Sequence, residues 1–582
     1  MRRILIMIFI LLISGACWSL SPLLNQSLPT STITYPTRTD AAIPPSPAST
    51  VTPTFTNTPA STWAITPTFT PDTSPVPSSE SFTVYYHPDD RLYVGDLVSF
   101  EVISPPGIDV KDANLHVQVD PPSGPTLDPV NFNPWGIQGR DQATLLWIWD
   151  THDEDPGMHT LVFSIQPDKL SWTEQVTLLP STDMPQVQVD ASWATTQTAC
   201  CTVFYITNTA SERDLSTLTS LIDEQAMYSI EEMDSDFTQP ITVTILPRLL
   251  GHGGFASSDI SVSYLDRNYA ANSLALVVHH EMIHTLDGQL GGDFRPNIFV
   301  EGLAVYMAGG HYKPEPLMPR AATLLDGYLD RYITLKTLAN DFYSAQHEIG
   351  YLEAASLIEY MIRTYGWEEF STFYRDIHIT QGENQSDAID AALQAHFSVS
   401  FSQLEKDFLS TLKQESVSPA WVDDVHGTVA YFDTLRRYQQ LLDPSAYFRT
   451  AWLLDNKAMR ERSIVADYLR HPNTPQNLAL ETLFITASHE METKQFTTAF
   501  QTLDVINSIL DGIENGTKDP FSASTMAADY FSISVSLQQQ GFEVQRIEID
   551  ENAATVYVTG STEPNLIELH LARSGEAWLL SP

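Results

Sequence analysis

Between Pro29 and Ser79 the chain cannot build a packed core, and this confines folding to what comes after. Of these 51 residues 11 are Pro, 15 are Thr and 7 are Ser, and the only charges are Arg38, Asp40 and Asp72. Proline removes backbone donors and stiffens the chain toward polyproline II. The stretch therefore reads as an extended stalk, spanning 17–80, with phrases such as Thr52-Pro53-Thr54-Phe55-Thr56. The 582 residues imply roughly three to five domains. Hydrophobic residues at 43% and aromatics at 10% are ample for cores beyond the stalk.

Residues 1–16 read as an address. Arg2 and Arg3 precede an unbroken apolar run from Ile4 to Ile13, then Ser14-Gly15-Ala16-Cys17. The run is too short to span a bilayer and fits the apolar region of an export signal cleaved after Ala16. Cys17 would then be the new N terminus. This resembles a bacterial lipoprotein signal, although Ser14 stands where such signals usually carry Leu. The expectation is an extracytoplasmic protein, secreted or tethered at the cell surface, with membrane contact only through a lipid on Cys17. Against 30 Lys and Arg stand 72 Asp and Glu, a formal charge of −42, which repels nucleic acid and anionic lipid headgroups. Three cysteines exclude a disulfide framework and a Cys-rich zinc module. Cys200 and Cys201 read as two small apolar strand residues, because closing a disulfide between neighbours strains the peptide.

Residues 81–190 show six short β-branched and aromatic runs: 81–86, 97–103, 113–119, 143–149, 159–165 and 174–179. Pro, Gly and Asp clusters separate them, the pattern of an immunoglobulin-like β-sandwich serving as spacer or adhesion module. From 191 to 418 the pattern changes to α+β. Strand-like runs at 202–206, 241–246 and 260–264 flank an amphipathic stretch at 213–233. Helical periodicity follows at 273–287, 297–308, 351–365, 368–376, 386–396 and 402–413. Residues 419–515 read as a helical region, and 516–582 as a small α+β module with strands at 543–549, 555–560, 567–573 and 577–580.

The chemistry concentrates in His280-Glu281-Met282-Ile283-His284. Two histidines four apart share one helical face, so both imidazoles can reach one metal ion, while Glu281 projects beside an open coordination position. Asn272 is the expected N-cap and Gly288 the expected C-terminal stop. A catalytic zinc needs a third protein ligand. Glu301 supplies it, seventeen residues past His284 in the apolar stretch Phe299–Tyr306, where a lone carboxylate is costly to bury without a charge beside it. Asp287 and Leu290 stand where a metzincin would place Gly and His, which excludes that pattern. His279 is turned about 100° from the motif face and reads as structural. His252, His311 and His347 are loop candidates for contacts near the site. The segment His489–Thr493 lacks a second His and reads as an exposed helical face.

Over residues 200–415 the chain resembles the gluzincin metallopeptidases of clan MA, in the branch that includes the alanyl-aminopeptidase type. The resemblance is carried by His280-Glu281-x-x-His284, by Glu301-Gly302-Leu303-Ala304 and by the helix opening at Tyr351. It implies a thermolysin-like α+β catalytic domain holding one Zn2+ on His280, His284 and Glu301. It also nominates Tyr351 as the donor to the oxyanion of the tetrahedral intermediate. Residues 260–264 would match the edge strand that pairs with extended substrate. Two departures stand out. The family's Gly-x-Met-Glu-Asn stretch, whose Glu anchors a free amine, is replaced by Gly253–Asp259 without a Glu, and Val300 stands where the family has Asn.

The resulting expectation is an exported zinc metallopeptidase acting on peptides or proteins, with Glu281 activating a zinc-bound water and returning the proton to the leaving nitrogen. The missing amine anchor leans away from a standard aminopeptidase. Alternatives are an aminopeptidase nonetheless, a zinc hydrolase of non-peptide substrates, or a silent adhesion scaffold with a structural zinc. The presence of Glu281 favours an enzyme over the last, since a structural site has no use for a base.

Overall fold

The computed structural model describes residues 81–581 apart from positions 90, 168–169, 249–252, 258, 380–381, 383, 453 and 576. The export signal, the stalk, Cys17 and His252 lie outside the described residues. The chain is a multidomain α+β structure, β-rich on its N-terminal side and helical beyond. No helix among the described residues is long and apolar enough to cross a membrane.

The first unit holds β1 (Thr83–His87), β2 (Leu92–Tyr93), β3 (Leu97–Ile103), β4 (Asn114–Val119), β5 (Thr126–Trp135), β6 (Arg140–Asp150), β7 (Gly157–Gln166) and β8 (Leu170–Leu179). Two of these, β2 and β5, are missing from the sequence expectation. The prolines Pro129 and Pro134 remove ladder donors from β5 and conceal its strand pattern. Yet β5 joins the two halves: its first part pairs with β4 and its last part with β6. The order is β1-β3-β6-β5-β4-β7-β8-β2, so the expected pair of separate sheets is one continuous sheet folded over itself. Val98, Phe100 and Val102 of β3 meet Leu161, Phe163 and Ile165 of β7 in one core. Ser99 and Glu101 point the other way and are buried too, which marks the outer face as docked rather than solvated.

The second unit opens with a five-stranded sheet: β9 (Trp193–Gln197), β10 (Cys201–Ile206), β11 (Ile241–Leu246), β12 (Gly254–Ala256) and β13 (Ile260–Ser263), in the order β12-β13-β11-β10-β9. The parallel neighbours β10 and β11 are joined by the crossover helix α1 (Leu215–Met233), as parallel pairing requires. Residues 260–263 therefore lie inside the sheet. The edge is β12, a three-residue strand too short and glycine-rich to be read from periodicity, and this corrects the expectation for 260–264. Helix α2 (Leu274–Leu290) carries the histidine motif. Its N-cap is Ser273, not Asn272, and it runs through Gly288 to stop at Gly291, whose φ of 83° only glycine adopts freely. Helix α3 (Asn297–Ala308) packs beside it, and α4 (His347–Tyr365) packs on α3, in a large apolar core. His347 thus opens a helix rather than lying in a loop.

Beyond these, α5 (Pro419–Leu442), α6 (Pro475–Glu492), α7 (Phe496–Glu514) and α8 (Thr525–Gln538) precede the antiparallel meander β14 (Phe542–Asp550), β15 (Ala553–Gly560), β16 (Glu563–Ser574) and β17 (Ala577–Leu580). Tyr438 of α5, Leu480 of α6, Ile506 of α7, Ile533 of α8 and Val556 of β15 share one core. Residues 419–515 and 516–582, expected as two modules, share this core. Glu490, expected on an exposed face, is buried and accepts a hydrogen bond from Thr502 at 2.8 Å.

Candidate metal centre

The helical repeat of α2 divides its faces. Val278 and Met282 bury themselves on the five-stranded sheet, and Ile283 and Leu286 enter the helical core. His280 and His284, about 200° around from Val278 and Met282, are left for the cleft. His279 is spent on anchoring: one ring nitrogen meets Gln225 at 3.1 Å and the other Glu232 at 2.9 Å, both on α1.

Glu301 reaches the motif from α3 because α3 lies hard against α4 at Gly302. A Cβ there would stand 2.7 Å from the backbone oxygen of Ala354. Glu301 Oε2 lies 3.4 Å from His280 Nε2 and 3.4 Å from His284 Nε2. A tetrahedral site with metal–ligand bonds near 2.0–2.1 Å has edges of about 3.3–3.4 Å, so two of these ligand–ligand spacings match it. His280, His284 and Glu301 together form a group able to hold one ion. Their donor set, two imidazoles and a carboxylate, suits zinc.

The electrostatics agree with such a group. Burial and the neighbouring His284 lower the His280 pKa. Burial works against protonation of His284 as well, but the Glu301 carboxylate outweighs it and pushes the imidazole up to about 9. Glu301 is held well below the usual carboxylate range, the two histidines overcoming its burial. The Glu301 carboxylate thus favours a positive charge beside it, which is what a bound cation would supply.

Glu281 is 6% exposed, and burial pushes its carboxyl up to about 7, opposed by His284 and by the Ala256 backbone N–H of the edge strand. That strand approaches because Gly254 has no side chain: a Cβ would meet Val277 Cγ1 at 2.6 Å and Glu281 Cγ at 3.1 Å.

Tyr351 lies on α4 at the same place. Its ring is stacked on His311 with centroids 4.1 Å apart, packs against His347 at 4.3 Å and meets the edge of Phe342 at 5.0 Å. Burial and the Glu301 carboxylate raise its pKa well above the ordinary phenol value. His311 also stacks on His280 at 6.0 Å. Sequence reasoning overlooked Tyr343, whose hydroxyl donates to Glu301 Oε1 at 2.6 Å. It lies in no motif and forty-two residues from its partner, so no local signal marks it.

Two other groupings bear on chemistry. Cys200 and Cys201 are joined by a disulfide, correcting the reading of two free thiols. Asp120, Glu154 and His159 in the folded-over sheet also converge. There His159 already spends one ring nitrogen on Asp120 and the other on the Asp155 carbonyl, each at 2.7 Å.

No protein-family model matches the chain, and no curated protein matches it. Among solved structures it is similar to the crystal structure of an aminopeptidase N family protein from Idiomarina loihiensis. The identity is 10% and the TM-score 0.25, over 58% of this chain and 78% of that one.

Proposed function

We propose that this chain is an exported zinc metallopeptidase, in which His280, His284 and Glu301 hold the ion and Glu281 is the general base. The observation that carries the reading is the convergence of both imidazole Nε2 atoms on one carboxylate oxygen at 3.4 Å, with a second buried carboxylate beside them. When bound, the ion would supply a Lewis acid for the scissile carbonyl and make the attacking water more acidic. Glu281 takes that water's proton and later delivers it to the leaving nitrogen; its burial, which disfavours the charged form, suits it to holding the proton between the two transfers. The Tyr351 phenol, protonated at neutral pH, donates to the oxygen that becomes negative in the transition state. The edge strand β12 lies beside Glu281, where an extended peptide can add to it by backbone hydrogen bonds. No carboxylate on β12 awaits a free amine, since its residues are Gly254, Phe255 and Ala256. Internal cleavage is therefore favoured over removal of N-terminal residues.

The test uses the purified protein with zinc and a mixed peptide library, cut sites being read by mass spectrometry. Internal cuts that vanish on chelation are expected. Glu281→Gln should lose about 10²–10⁴-fold in turnover while keeping its zinc, and Glu301→Ala should lose the zinc itself. Stepwise N-terminal trimming would restore the aminopeptidase alternative. Full activity in both variants would overturn the site assignment.

A further inference from the structure

The carboxylate of Glu301 is divided between two tasks. Oε2 faces both histidines at 3.4 Å, whereas Oε1 accepts the Tyr343 hydroxyl at 2.6 Å. That length is typical of a charge-assisted O–H···O⁻ bond. The terminal torsion of a glutamate is broad and soft, so Glu301 left to itself could rotate either oxygen, or both, toward a cation. A two-oxygen grip fills coordination space that a hydrolytic centre needs open for water and substrate. A donor fixed on Oε1 removes that option.

Tyr343 is well placed to act this way. It sits in the link between the short helix Leu335–Asn340 and α4, with its ring edge-on to Phe342 at 5.4 Å. Phe342 is itself buried and packs on Tyr351. Two residues on, the Ala345 carbonyl accepts from Arg449 at 3.4 Å, which ties the link to the segment crossing behind it. Tyr351 also feels the Glu301 carboxylate, but it is 6% exposed and flanked by His311 and His347, whereas Tyr343 is half-buried and makes the 2.6 Å bond to Oε1.

We propose that Tyr343 is a positioning residue of the metal centre, holding Glu301 as a one-oxygen ligand and keeping the remaining coordination space open. The proposal rests on the zinc metallopeptidase reading.

Zinc affinity of the purified protein is measured by competition with a chromophoric chelator, and the cobalt-substituted protein is examined by visible absorption. Tyr343→Phe keeps the ring and removes only the donor. It is expected to weaken zinc binding by about 10–100-fold, the usual effect of losing a group that orients a ligand. Its cobalt absorption should weaken as the coordination number rises. The melting temperature of the metal-free protein should stay unchanged, and Tyr343→His, which restores a donor, should recover part of the affinity. Tyr351→Phe should lower kcat. Unchanged affinity and cobalt spectrum in Tyr343→Phe would overturn the proposal, as would a loss confined to kcat. A wild-type protein that binds no zinc would instead sink the underlying reading, and this is seen before any variant is made.

Discussion

Trp452 lies flat against His87, their ring centroids 4.0 Å apart and their planes within 7° of parallel. His87 belongs to the folded-over sheet, and Trp452 to a segment that also packs on Ile206 and Leu246 of the second unit. Nearby, Arg470 lays both terminal nitrogens on Asp96, at 2.5 and 3.0 Å, with the two side chains only 3% and 5% exposed. The sheet at 81–179 is therefore docked onto the described residues that follow it, not carried as a loose spacer. Removing one partner of a buried pair leaves the other charge stranded, which typically costs about 3–5 kcal/mol. Arg470→Ala should lower the melting temperature or split the transition in two by calorimetry. An unchanged curve would mean that the pair contributes nothing to holding the units together.

Gly302 is where α3, the helix of Glu301, touches α4. A Cβ would come within 2.7 Å of the Ala354 backbone oxygen and 3.0 Å of Ile358 Cγ1, and backbone cannot step aside cheaply. Gly302→Ala is expected to cost about 1–3 kcal/mol of stability through overpacking. Because Glu301 is the adjacent residue, zinc affinity should fall as well. A variant that loses stability but binds zinc as tightly as the wild type would show that α3 yields without moving its carboxylate.

What the sequence disclosed is what local periodicity encodes. The spacing of His280 and His284 and the apolar setting of Glu301 depend on neighbours a few residues away, and helix α3 begins and ends where its pattern predicts, at Asn297 and Ala308. The features that escaped depend on distant partners. Strand β5 hid behind Pro129 and Pro134, and its two-sided pairing is fixed only by β4 and β6. The edge of the five-stranded sheet is set by strand order, which no alternation of side chains reveals. Tyr343 meets Glu301 only after the chain from α3 to α4 has folded back.

Gly254 separates the edge strand from Glu281 by the width of a missing methyl. Its Cβ would meet Val277 Cγ1 at 2.6 Å, Glu281 Cγ at 3.1 Å and the Ser261 carbonyl at 3.1 Å. Gly254→Ala must therefore displace the strand, Val277 or Glu281. Small misplacements of a reacting group cost up to about 10²-fold in rate. kcat should fall by about 10–100-fold with zinc content unchanged, since neither His280 nor His284 is among the atoms met. Steady-state kinetics beside metal analysis check this, and an unaltered kcat would remove β12 from the placement of Glu281.

Asp467 offers a prediction independent of the metal. It is 3% exposed, and neither carboxylate oxygen finds a hydrogen-bond partner among the described residues. Burial pushes its pKa from 3.8 up to about 6, with His87 pulling against the rise. Below the unfolded value the group is neutral in both states and costs nothing. As pH rises past 3.8 the unfolded chain gives up its proton while the folded chain keeps it until about 6, so stability falls across that window and then levels. A shift of roughly two pH units corresponds to about 3 kcal/mol at most. Asp467→Asn, neutral throughout, should therefore be more stable than the wild type at pH 7.5 and nearly equal to it at pH 4. Denaturant titrations of both proteins at the two pH values test this. An equal gain at both would assign the effect to altered packing, and no gain at pH 7.5 would mean that the folded protein solvates this carboxylate after all.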